Sequence, residues 1–150
     1  MLNDPVNLVD VLGFAPDLNL IPLDDPMHEA VNEVSSNYRF IIASHGVVGR
    51  LVKKEPFYTI KEIADIVKKS GKKEILVLAC EQGPTNLADD DTDKVSDVEK
   101  LANYTGLPVT YTRHLAHPVR FNIGNFTFGA TFALGLPFIS PAWETVYPNK

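Results

Sequence analysis

Two short apolar runs constrain this chain more than any other feature: YRFIIAS, which starts at Tyr38, and EILVLAC, which starts at Glu74. Neither alternates apolar with polar residues, and both are too short for a helix, so each reads as a strand covered on both faces. Between them, from Thr59 to about Lys69, Ile60, Ile63, Ala64, Ile66 and Val67 recur at helical spacing. Thr59 and Glu62 have the spacing of a capping box, lysines occupy the last turn, and Gly71 stops the helix. Strand, helix, strand at this spacing predicts a βαβ unit with parallel strands.

The same pattern continues downstream. In SDVEKLANYTG, Ser96 is the expected cap, Glu99 completes the box and Gly106 is the stop; LPVTYT is a third strand candidate. Upstream, a short helix is expected from Pro26 to about Ser35, capped by Asp25, with Glu29 in its first turn. The first 26 residues hold four prolines and read as an extended lead-in, either a linker or an arm packed on the domain. HGVVGRLVKKEPFY and EQGPTNLADDDTDK read as loops. RHLAHPVRFNIGNFTFGATF suits one or two further strands, with a hairpin turn at Asn122 to Asn125. The expectation is a lead-in over 1–26 and one α/β domain over 27–150, with at least three parallel strands.

Composition narrows the function classes. At 150 residues, 45% apolar and 22% charged, the chain suits a single packed core. A net charge of −5 and a pI near 5.3 argue against a nucleic-acid partner bound through its phosphates. A lone cysteine excludes an intramolecular disulfide and a multi-cysteine zinc site. No run reaches about 18 apolar residues, and the first residues lack a signal-peptide layout, so no membrane partner is expected. FTFGATFALGLPFISPAW comes nearest but is broken by Gly129, Gly135, Pro137 and Pro141, and reads as core strands and turns. Asp89, Asp91 and Asp93 alternate as in a calcium loop, but the required glycine is missing and Lys100 stands where the bidentate Glu belongs. His114 and His117, even with His45, lack a carboxylate at ligand spacing, so neither a metal nor a cofactor is expected.

Functional groups in open α/β sheets gather where the carboxyl ends of parallel strands open into loops. His45 directly follows the first apolar strand and Cys80 closes the second. If the two strands are neighbours, about 4.8 Å apart, imidazole and thiol project from one sheet edge. A nearby imidazole can deprotonate a thiol, and Gly46 lets the backbone approach a substrate closely and offers an N–H to an oxyanion. The competing reading is plain packing, with Cys80 a small buried residue and His-Gly an ordinary turn. Arg113 and Arg120 read equally as surface charges or as anchors for a substrate carboxylate, and Trp143 as a packing residue.

The blocks FIIASHG and ILVLAC, in that order, resemble the caspase-like cysteine peptidases, the group of caspases, legumain, gingipains, clostripain and self-cleaving domains of large bacterial toxins. The order excludes papain-like enzymes, in which Cys precedes His. The resemblance implies a three-layer caspase-like sandwich with a mainly parallel central sheet. It also implies His45 as general base, Cys80 as nucleophile and Gly46 as part of the oxyanion hole. CEQG followed by VEKLANYTGLPVT is similar to a Cys-x-x-Gly and helix pattern in toxin domains of the group. Glu81 and Gln82 depart from the Asn-Thr or His-Thr usual there, and a carboxylate beside the nucleophile favours the neutral thiol. Glu81 and Arg113 are the candidates for substrate contact.

The segment NDPVNLVDVLGFAPD is similar to the end of the Rhs repeat-associated core, through Pro5, Asn7, Asp10 and Gly13. Val11 and Phe14 depart from its usual Pro and Leu. This resemblance implies a toxin released as the tail of a larger Rhs protein, delivered into a target cell, acting on a protein substrate and matched by a cognate immunity protein. Three other classes stay open: a Cys-His deamidase or transferase toxin, a non-catalytic binding module, and a toxin with a nuclease or nucleotide-modifying activity.

Overall fold

The computed structural model describes residues 16–32, 36–47, 49–52, 58–84, 93–112, 115–123, 126–134 and 143–150. The Rhs-like motif residues, Asp89, Asp91, Arg113 and His114 lie outside them. Five strands form the central sheet: β1 (Leu18–Asn19), β2 (Arg39–Ala43), β5 (Glu74–Leu78), β6 (Val109–Tyr111) and β9 (Glu144–Val146). Their order is β1-β2-β5-β6-β9, with β9 alone antiparallel to its neighbour. The chain is therefore mixed α/β with a mostly parallel sheet. Two antiparallel hairpins stand apart from the sheet, β3 (His45–Val47) with β4 (Arg50–Val52), and β7 (Leu115–Ile123) with β8 (Phe126–Leu134). The second hairpin closes between Ile123 and Phe126, where the sequence predicts a turn.

Both faces of the sheet are apolar, which is why the strands show no alternation. Phe40, Ile42, Ile75, Val77 and Val109 pack with Ile63 and Val67 of α2 (Ile60–Ser70) and Leu101 of α3 (Asp97–Thr105). Ile41, Ala43 and Leu78 pack on the other face with Ile21 and Val31, the latter from α1 (Pro26–Val31), and Trp143 lies against this second cluster. Helices thus cover both faces. Ile63 and Val67 are fully buried, each worth about 2 kcal/mol. The Thr59 capping box adds about 1 kcal/mol, so packing rather than capping decides where α2 lies.

The caps follow the sequence signals closely. Thr59 with Glu62 and Ser96 with Glu99 form reciprocal boxes, and Gly71 and Gly106 end their helices at φ +72°. The described part of the lead-in packs on the domain as an arm, and one detail after β2 differs from the expectation. Leu18–Asn19, in the lead-in, pairs with Ile42 and Ala43, and Leu18, Leu20 and Ile21 are buried. The stretch after β2, expected as loop, turns at once into the β3–β4 hairpin. Ser44 explains the sharp exit: its hydroxyl donates to the carbonyls of His45 and Val52, fastening the start of β3 to the end of β4.

Candidate active site at the ends of two neighbouring strands

β2 and β5 are adjacent and parallel, with Ala43 opposite Leu78. The ladder runs one residue further, Ser44 N–H donating to the Leu78 carbonyl at 3.1 Å. His45 and Cys80 are therefore each two residues beyond a matched pair, at the carboxyl edge of the sheet. The backbones meet there: a Cβ on Gly46 would lie 1.9 Å from the Cys80 carbonyl oxygen and 2.9 Å from its carbon. Only glycine permits this contact between the His-Gly segment and the Cys80 peptide. Cys80 and His45 are both half-buried residues.

Sequence reasoning took Asp25 only as a helix cap, and it is that: Oδ1 accepts the Met27 N–H at 2.8 Å. Its other oxygen, Oδ2, lies 2.7 Å from His45 Nε2. One carboxylate thus caps α1 and holds the imidazole. Asp25 sits below its ordinary value of 3.8, first through the Met27 N–H and then through the bond to His45. A carboxylate at Nε2 places that proton there in the neutral ring, which leaves the Nδ1 lone pair as the basic position. Asp25 is itself positioned by α1, which buried Asn19 anchors. The Asn19 amide donates to the His28 carbonyl at 3.1 Å and to Asn32 Oδ1 at 3.0 Å, while its oxygen accepts the Ile21 N–H.

The loop after Cys80 is tightly specified. Glu81 is exposed and adopts φ +52°, a left-handed conformation uncommon outside glycine. Its carbonyl accepts the Gly49 N–H at 2.7 Å, tying the loop to the hairpin turn. Gln82 is fully buried, and Gly83 at φ +109° packs so close to the Tyr111 ring that a Cβ would fall 2.3 Å from Cε2. That contact gives a physical reason for glycine at position 83.

The hairpin is clamped from its far side by the start of α3. Buried Asp97 accepts the Leu51 N–H at 2.8 Å, and its own N–H donates to the Gly49 carbonyl at 3.0 Å. Arg50 donates to the carbonyls of Val95 and Asp93, each at 2.5 Å. Asp93 pairs with Lys100, which is the main cause of its depressed pKa. The structure thus brings together His45, Gly46, Cys80 and Glu81, and adds Asp25 and Gln82. Asp25 was signalled only by its capping position, and Gln82 only as a departure from the residues usual after the Cys in the resembling pattern.

Comparison with protein-family models, curated proteins and solved structures finds no match to this chain. A carboxylate-held imidazole and a thiol, carried on segments whose backbones touch where Gly46 meets the Cys80 peptide, are groups that nucleophilic catalysis uses. Among the described residues no group of three His, Cys, Asp or Glu side chains could hold a metal ion, and no helix is long and apolar enough to cross a membrane.

Proposed function

We propose that this chain is a caspase-like cysteine peptidase, the toxin tail of an Rhs-type protein, acting on a protein substrate in the cell it is delivered to. The observation that carries the reading is the adjacency of β2 and β5, which sets His45, Gly46 and Cys80 at one sheet edge. The Asp25 carboxylate on His45 Nε2 supports it further, because an oriented imidazole is a better general base.

In this mechanism Nδ1 of His45 takes the proton from the Cys80 thiol, and the thiolate sulfur bonds to the scissile carbonyl carbon. The carbonyl oxygen becomes an oxyanion facing the backbone at Gly46. As the C–N bond breaks, the imidazolium returns its proton to the departing amine and leaves a thioester. Water, deprotonated by His45, attacks the thioester, and the thiolate departs and is reprotonated. Asp25 stays ionised throughout, holding the ring and stabilising its charged form. Exposed Glu81, beside the nucleophile, is placed to meet a basic substrate side chain.

Cys80→Ala and His45→Ala, assayed for toxicity in cells and for cleavage of a peptide library, test the reading. Both variants are expected to lose both activities, and full activity in both refutes it. Mass spectrometry of exposed target proteins distinguishes cut chains from intact chains deamidated at glutamine, the outcome that would move the assignment to a deamidase.

A further inference from the structure

We propose that Gln82 is a positioning residue for Cys80, a buried amide clamp that fixes the nucleophile's peptide against the hairpin carrying His45. This rests on the peptidase reading, and names a residue that reading does not require. The Gln82 side chain has no solvent exposure. Its Nε2 donates to the Cys80 carbonyl at 2.7 Å and to the Arg50 carbonyl at 3.0 Å. Its backbone N–H donates to the Thr112 carbonyl at 2.9 Å. One residue therefore joins the end of β5, strand β4 and the chain just beyond β6.

The location matters because Cys80 lies beyond the last matched pair of the β2–β5 ladder, and Gln82 holds the carbonyl of its peptide. The direction of the sulfur follows that peptide. For a side chain to fold back onto the carbonyl two residues earlier, the chain must reverse between them, and Glu81 at φ +52° makes that reversal. Gly46 completes the arrangement, since a Cβ there would come within 2.5 Å of Gln82 Nε2. Both partners of Nε2 are carbonyls, so the amide has a single satisfactory orientation. That orientation leaves Oε1 buried without a hydrogen-bond partner. An apolar side chain of this size would fill the space without an orphaned acceptor, so the amide's contribution lies in its two donated bonds.

The test compares the wild-type chain with Gln82→Met and His45→Ala by the pH profile of Cys80 alkylation with iodoacetamide, alongside thermal melting. His45→Ala is expected to move the profile to higher pH. Gln82→Met is expected to move it the same way while still melting cooperatively, with alkylation at neutral pH about tenfold slower. A shift in His45→Ala with a wild-type profile in Gln82→Met overturns the clamp and leaves the peptidase reading standing. No shift in His45→Ala overturns both. Should Gln82→Met fail to fold, hydrogen exchange in the wild-type chain decides. The Gln82 side-chain amide protons should exchange at least about tenfold more slowly than those of an exposed glutamine, and exchange at the exposed rate overturns the clamp.

Discussion

Replacing Gly46 with alanine tests the closest contact at the site. The added Cβ would sit 1.9 Å from the Cys80 carbonyl oxygen, 2.9 Å from its carbon and 2.5 Å from Gln82 Nε2. Two of these three atoms are backbone, and the oxygen is already held by Gln82, so relief requires separating the hairpin from the end of β5. Overpacking of a close-packed site costs about 1–3 kcal/mol, and a backbone obstacle places this substitution near 3 kcal/mol. For a chain of this length each kcal/mol lowers Tm by about 2–4 °C, so a fall of roughly 6–12 °C is expected. Gly106→Ala is the internal control. It has φ +72° and nothing within 4 Å of the added Cβ, so only backbone strain of about 1 kcal/mol operates, worth roughly 2–4 °C. Thermal unfolding followed by circular dichroism measures both. If Gly46→Ala melts no lower than Gly106→Ala, the backbone of the His-Gly segment does not press on Cys80, and the reasoning fails.

Asp25→Asn keeps a competent cap but removes the charge facing His45, so helicity should be retained, and under the proposed peptidase reading cleavage falls by about a hundredfold, measured as kcat/KM on a cleaved library peptide. Because the folded pKa of Asp25 is depressed, its contribution to stability is present above pH 3.8, the ordinary aspartate value, and is lost as pH falls through the folded value. Urea midpoints followed downward from pH 5 should therefore drop less steeply in Asp25→Asn than in wild type. Asp97→Ala strips the buried Leu51 N–H of its acceptor and should cost about 2–3 kcal/mol in urea denaturation, whereas Ser96→Ala, which loses a cap alone, should cost about 1 kcal/mol.

What the sequence made legible followed the strength of local signals. Thr59 and Glu62, and Ser96 and Glu99, lie three residues apart and need only a helix to meet, so both boxes and their terminal glycines could be read in advance. The unalternating runs FIIA and ILVL marked strands covered on both faces, and the helical stretch between them implied that they run parallel. The β3–β4 hairpin was hidden because HGVVGRLV is short and its pairing depends on Ser44 and Asp97, which reach it through side-chain bonds. Strand β9 was hidden for a related reason. Glu144–Val146 is three residues long and pairs with β6, some thirty-five residues away in sequence, as Thr110 opposite Thr145 shows. The site divides along the same line. His45 and Cys80 announced themselves by standing at the ends of apolar strands, whereas Asp25 and Gln82 are ordinary polar residues until the chain is traced. Asp25 reaches His45 across 20 residues because Asn19 fastens α1 beside the end of β2, and Gln82 reaches Cys80 because Glu81 reverses the backbone. Candidate groups can be read from strand ends, but the side chains that contact them come from whatever element the tertiary fold brings alongside. This is why the decisive measurements are those that compare Cys80 chemistry before and after Gln82, Asp25 or Gly46 is changed.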